Sequence, residues 1–237
     1  MKDEFINIAA HELRTPIQPI LGLSELVRSK LKVEDRELIQ FLDTINRNAK
    51  RLQRLTEDIL DVTKIESQSL KLNKENFDIN KKISNVINDI EKQISDPNKL
   101  KILFTEPREA IFVNADKGRI YQVIANLLNN AIKFTKEGTI SVSVKVTQKK
   151  GGNKEGRDYG SSSSSRHVIV SVKDSGAGID PEILPRLCTK FASKSYQGTG
   201  LGLFISKSII EAHGGKIWAE NNSDGKGATF AFSLPID

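Results

Sequence analysis

The chain has 237 residues, 38% of them apolar and 28% charged, enough to build one large or two modest domains and too apolar for a disordered tail. Its 36 basic and 30 acidic residues leave a net charge of +6, which suits phosphate ligands or acidic partners, but the few interleaved aromatics argue against a nucleic-acid partner. The lone Cys188 excludes an internal disulfide framework and fits a reducing, cytoplasmic setting, and the singly scattered His11, His167 and His213 exclude a structural zinc cluster. The Met1-Lys2-Asp3-Glu4 start does not read as a signal peptide, and no apolar run approaches the roughly 18 residues of a membrane span, so this segment is expected to make no membrane contact.

Periodicity divides the chain near Ser67. Ile6, Ala10, Leu13, Ile17, Ile20, Ser24, Val27 and Leu31 step alternately by four and three, a heptad seam with one polar interruption. After a polar corner at Lys32 to Arg36, Leu38, Leu42, Ile45, Ala49, Leu52, Thr56 and Ile59 repeat the stepping, and Phe41, Leu55, Val62 and Ile65 widen the stripe. Two such helices make an antiparallel hairpin over residues 1–67. A hairpin this short cannot cover stripes so wide, so pairing two copies into a four-helix bundle is expected. Packing on the rest of the same chain is the alternative.

Residues 68–237 alternate short apolar runs with helical stripes. Strands are expected at Leu70–Leu72, Lys101–Phe104, Ile111–Val113, Thr139–Val146, His167–Val172, Lys216–Ala219 and Ala228–Leu234. Helices are expected at Ile79–Ser95, Gly118–Phe134 and Leu201–His213. The combination predicts a two-layer α/β sandwich. The Gly, Lys and Ser tract from Gly151 to Ser165 reads as a flexible loop between two adjacent strands.

Four stretches carry chemistry. In Ala10-His11-Glu12-Leu13-Arg14-Thr15-Pro16, a neutral imidazole at His11 keeps a nucleophilic lone pair, and Glu12 can fix its tautomer. Thr15 lies one turn on, where a hydroxyl can orient water. Pro16 and Pro19 remove successive helix bonds and predict a bend just after the histidine. On the helix Gly118–Phe134, Ile120, Ile124, Leu127, Ala131 and Phe134 form the apolar stripe, and Gln122, Asn126, Asn130 and Lys133 the opposite side. Amide oxygens there suit Mg²⁺, and a lysine suits phosphate. The strand His167–Val172 runs into Asp174-Ser175-Gly176-Ala177-Gly178-Ile179, where a carboxylate at a strand end can accept from an exocyclic amine such as that of adenine. Gly198-Thr199-Gly200-Leu201-Gly202 opens a helix and presents backbone N–H groups suited to phosphates, without the ending of a Walker loop or dinucleotide fingerprint. Lys190 to Ser195, with Lys194, reads as a lid.

Taken in order, HELRTP at 11–16, NLLNNAIKFT at 126–135, DSGAGI at 174–179 and GTGLGLFISKSIIEAHGG at 198–215 resemble the catalytic core of a two-component sensor histidine kinase. The resemblance implies a dimerisation and histidine-phosphotransfer hairpin over 1–67, then a Bergerat-type ATP-binding domain over 68–237. It implies His11 as phospho-acceptor with Glu12 assisting, and Thr15 as a residue for dephosphorylating the regulator. ATP would be held by Asn126, Asn130, Lys133, Asp174, Gly176, Gly178, Lys194, Gly198, Thr199, Gly200, Leu201 and Gly202, with Asn130 as Mg²⁺ ligand. The implied partners are a second copy and a response-regulator receiver domain. The chain departs from the family at Ala10, where serine is common, at the extra Pro19, and at Leu187-Cys188-Thr189-Lys190-Phe191. It looks like an excised or truncated core whose full-length form could be membrane-anchored. An ATPase of the same nucleotide fold, a helical scaffold with a degenerate site and a phosphatase-dominant protein are the competing expectations.

Overall fold

A computed structural model describes residues 17–31, 35–92, 94, 96–149, 165–192, 199–223 and 225–236. The described residues fall into two compact units, the first running to Leu70 and including Thr199–Leu201, the second formed by the remainder.

The first unit is a pair of helices, α1 (17–30) and α2 (Arg36–Glu66). Ile17, Leu21 and Ala49 form its small apolar core. The polar interruption at Ser24 has a partner: its hydroxyl donates to Asn46 Oδ1 at 2.5 Å and to the Leu21 carbonyl at 3.0 Å. Both residues are buried, so the pair favours one alignment of α1 on α2 over slipped ones that would leave a buried polar group unsatisfied. The ion pairs Arg28–Asp43 at 3.2 Å and Glu25–Lys50 at 3.7 Å run in the same antiparallel register, but being exposed they add little. Much of the predicted seam stays uncovered. Leu38, Ile45, Leu52 and Ile59, seven residues apart, are 42–51% exposed, as are Ile20 and Val27 at 46%. The expected bend after His11 lies outside the described residues, and α1 runs on through Pro19.

The second unit is a mixed five-stranded sheet in the order β2-β4-β5-β7-β6, with a separate two-stranded β1-β3 ribbon. Its elements are β1 (Lys74–Asp78), α3 (Ile79–Glu91), β2 (Leu100–Phe104), β3 (Phe112–Asp116), α4 (Lys117–Phe134), β4 (Gly138–Lys149), β5 (Ser165–Asp174), α5 (Gly202–Ala212), β6 (Lys216–Asn221) and β7 (Ala228–Ile236). β2 pairs parallel with β4, and every other pair is antiparallel. Val168, Val170 and Val172 of β5 alternate onto the helix side, where Ile120, Val123, Ile124, Leu127 and Leu128 of α4 complete a dry core. β4 and β5 are adjacent, as the tract between them predicts.

Three expectations need correction. Leu70–Leu72 is not a strand. β1 begins at Lys74, and of its residues Lys-Glu-Asn-Phe-Asp only Phe77 is buried, so backbone pairing with β3 holds it and apolar alternation does not reveal it. α3 ends at Glu91 rather than Ser95; its fully buried stripe stops at Ile90, and Ile94, one turn on, is only half-buried. Phe134 closes α4 but is 47% exposed, while Val123 and Leu128 supply the width the stripe needs.

Candidate nucleotide-binding site

Of the residues expected to carry chemistry, His11, Glu12, Thr15, Lys194 and Gly198 lie outside the described residues. Thr199, Gly200 and Leu201 belong to the first unit. There the Thr199 hydroxyl donates to Asp58 Oδ2 on α2 at 2.7 Å. Burial pushes the Asp58 carboxyl up, against the lowering effect of that bond.

The second unit gathers the others around α4. Asp116 caps the helix, its side chain accepting from Gly118 N and Arg119 N at 3.0 Å each and from Asn73 N at 2.9 Å. Burial raises this carboxyl, but the three N–H donors prevail and hold it below the ordinary carboxylate value. Along the half-buried polar side, Asn126 donates from Nδ2 to Ser206 Oγ on α5 at 3.0 Å. Its amide oxygen lies against Gly202, the first residue of α5, where any Cβ would overlap it. Glycine at that point lets the start of α5 close onto the asparagine. Asn130 and Lys133 continue the same side, with Lys133 Nζ 5.1 Å from the centre of the Phe134 ring.

Asp174 ends β5 and is 3% exposed. Its Oδ1 accepts from Gly176 N at 2.9 Å and Ala228 N at 3.3 Å, which leaves Oδ2, among the described residues, for an outside donor. Gly176 packs against the Phe134 carbonyl, so the loop after Asp174 meets the C-terminal end of α4 just beyond Asn130 and Lys133. Ala177 N donates to that carbonyl at 3.4 Å. Thr135, at the same corner, has a buried hydroxyl with no hydrogen-bond partner among the described residues. A buried acceptor at a strand end beside an unpaired hydroxyl fits a ligand that offers both N–H and ring-nitrogen edges, as a purine does. Asn130 and Asn126 offer neutral hard oxygens of the kind a hydrated Mg²⁺ accepts.

Two residues that position this loop escape the motif pattern. Asn221, at the end of β6, accepts from Ile179 N at 2.6 Å and donates to Ile179 O at 2.9 Å. Asn222 donates to the Asp174 carbonyl at 2.8 Å and to the Lys226 carbonyl at 2.7 Å, and accepts from Thr229 Oγ1 at 2.7 Å. Consecutive amides at the end of an apolar run are the signal, since such side chains mimic backbone turns. The bonds that tie them to the Asp174–Ile179 loop span 42 and 48 residues, out of reach of local pattern.

Residues 115–237 match the family of histidine kinase-, DNA gyrase B- and HSP90-like ATPases, and residues 1–68 match the His Kinase A phospho-acceptor domain. The chain belongs to this ATPase family and, with the phospho-acceptor domain in the same polypeptide, is the catalytic core of a sensor histidine kinase. It is 35% identical over 240 residues to hybrid signal transduction histidine kinase B of Dictyostelium discoideum, covering 98% of this chain and 11% of that protein. Among solved structures, full-length ShkA in complex with AMPPNP aligns at a TM-score of 0.71 and 26% identity, over 98% of this chain and 45% of ShkA. The Acinetobacter baumannii histidine kinase AdeS aligns at 0.62 and 28%, over 96% of this chain and 98% of that one. The chain thus spans less than half of the first two of these relatives. No described helix is long and apolar enough to cross a membrane.

Proposed function

We propose that the protein binds ATP in the second unit and transfers its γ-phosphoryl group to His11, then to an aspartate on a response-regulator receiver domain. The observation that carries this is the buried Asp174 carboxylate, held at one oxygen at the end of a central strand, with its glycine loop packed on the helix that bears Asn126, Asn130 and Lys133. Asp174 accepts from the adenine amine. Gly176 and Gly178 let the loop follow the base. To the phosphates we assign Asn126, Lys133, Lys194 and the N–H groups of Gly198, Thr199, Gly200, Leu201 and Gly202. Asn130 would hold Mg²⁺, which would supply charge neutralisation at the phosphates. The neutral His11 imidazole attacks phosphorus in line as ADP leaves, giving a phosphoramidate, and Glu12 takes up the ring proton. Positioning and charge neutralisation supply most of the acceleration. Thr15 is the residue we assign to regulator dephosphorylation.

The working form is a homodimer. The heptad-spaced Leu38, Ile45, Leu52 and Ile59 stay exposed on the hairpin alone, and a second copy of the same stripe has the shape and apolarity to cover them.

Brief incubation with γ-labelled ATP, followed by gel autoradiography, tests the central claim. Wild type is expected to take up acid-labile, base-stable label and His11→Gln none. Comparable label on His11→Gln would overturn the assignment. Steady ADP release with no labelled protein would indicate an ATPase of the same fold instead.

A further inference from the structure

His213 follows the last residue of α5 and is 4% exposed, too buried for its ring to be bathed by solvent. Its ring is bonded at both nitrogens. Nδ1 lies 2.8 Å from the Ile209 carbonyl, which can only accept, so Nδ1 carries the proton. Nε2 lies 2.9 Å from the backbone nitrogen of Asp116, which can only donate, so Nε2 offers its lone pair. The two contacts together demand the neutral Nδ1–H tautomer. They tie the C-terminal end of α5 to Asp116, the residue that caps α4 and also receives Asn73 N from the approach to β1.

The same two helices are joined at a second place, where Asn126 meets Ser206 and Gly202. By helix rise the two junctions are about 15 Å apart along α4 and about 10 Å apart along α5. Two junctions on an antiparallel pair fix both the sliding and the rotation of one helix on the other. A single junction leaves a pivot. The fixed end matters because the start of α5 follows the glycine segment and α4 bears Asn126, Asn130 and Lys133.

We propose that His213 is a positioning residue for nucleotide binding: as a neutral ring it pins α5 in register on α4, and its protonation releases the pin and weakens nucleotide affinity. Adding a proton at Nε2 sets an N–H against the Asp116 N–H, donor facing donor, at a site too buried for water to mediate. The groups around the ring divide. Burial, the largest influence, disfavours the cation. On its own helix the Ile209 carbonyl favours it. Lys74 on β1 disfavours it, and the Asp116 carboxylate favours it. The balance holds the ring below the ordinary histidine value of 6.5. A base with a lowered folded pKa contributes stability that is fully present above the unfolded value and lost as pH falls through the folded one. The pin is therefore closed at neutral pH and opens on acidification below about 6.5.

This inference rests on the nucleotide reading given above, and the experiment separates the two. ADP affinity is measured calorimetrically on the full chain at about pH 8 and about pH 5.5 for wild type, His213→Gln and His213→Ala. Glutamine keeps an acceptor for the Asp116 N–H and has no proton to gain, and comparison with it cancels the titration of ADP itself. Wild type is expected to lose at least about fivefold more affinity on acidification than His213→Gln, and His213→Ala to bind weakly at both pH values. Equal pH slopes for wild type and His213→Gln overturn the positioning role alone. Failure of wild type to bind ADP at about pH 8 overturns the nucleotide reading and this inference with it. Should the variants not fold, nitrogen-15 imidazole NMR of wild type decides: an Nδ1–H neutral ring titrating below about 6.5 is expected, and an Nε2–H or cationic ring at neutral pH overturns the proposal.

Discussion

Asn221 shows how a single side chain sets the shape of a binding loop. Its amide closes both backbone groups of Ile179, which fixes the end of the segment that begins at Asp174. Asn221→Ala is expected to raise the dissociation constant for ATP about five- to tenfold, equivalent to about 1 kcal/mol, with the melting temperature changed little because the residue is exposed. Fluorescent-nucleotide titration beside a thermal melt checks both halves. Gly227 is the opposite case. It sits at φ 74°, and a Cβ there would overlap the Asp174 carbonyl, so Gly227→Ala is expected to cost several kcal/mol and to show in the melt before any nucleotide is added. At this scale the sequence announces Asp174, Asn126 and Asn130, because carboxylate and amides stand at a strand end and along one helix side. Asn221 and Asn222 announce no more than a turn and His213 nothing, since the bonds that give them their roles reach partners 42, 48 and 97 residues away.

Helices and strands carry a second set of consequences. Asp116 stops the N-terminal donors of α4 from going unpaired, so Asp116→Ala is expected to destabilise the second unit by about 1–2 kcal/mol in a denaturant melt. Its lowered carboxyl also makes a pH claim: the stabilisation is full above the unfolded value and fades as pH falls through the folded one, so the wild-type and Asp116→Ala melting curves are expected to converge in acid. In the hairpin, Asn46→Ala is expected to cost about 1–3 kcal/mol, because it leaves Ser24 buried with only its local carbonyl partner. Replacing Ser24 and Asn46 together by apolar residues is expected to recover much of that loss, and a double-mutant cycle measures the difference. Long, regular elements were readable: α4 and β5 declare themselves through unbroken stripes. β1 was not, because one buried phenylalanine among charged neighbours gives no alternation to detect, and the strand exists only by virtue of its partner.

For the molecule as a whole, the exposed heptad stripe is the feature that most constrains behaviour in solution. Ile45→Glu with Leu52→Glu is expected to shift the mass measured by light scattering from dimer to monomer while leaving the helical signal largely intact. The change of periodicity near Ser67 makes the two-part architecture readable from sequence, whereas the strand order does not follow from it. β7, late in the chain, lies between β5 and β6, inside the sheet rather than at its margin. Half of the hydrogen-bonding edge of β5 and the whole pairing edge of β6 therefore wait for residues 228–236 to emerge from the ribosome. A nascent chain stalled shortly before that point leaves the backbone edge of β5 unpaired from Arg166 to Lys173, a natural client for a chaperone. Nonsense changes between the end of β5 and Ala228 should accordingly yield an insoluble product rather than a shortened, working one.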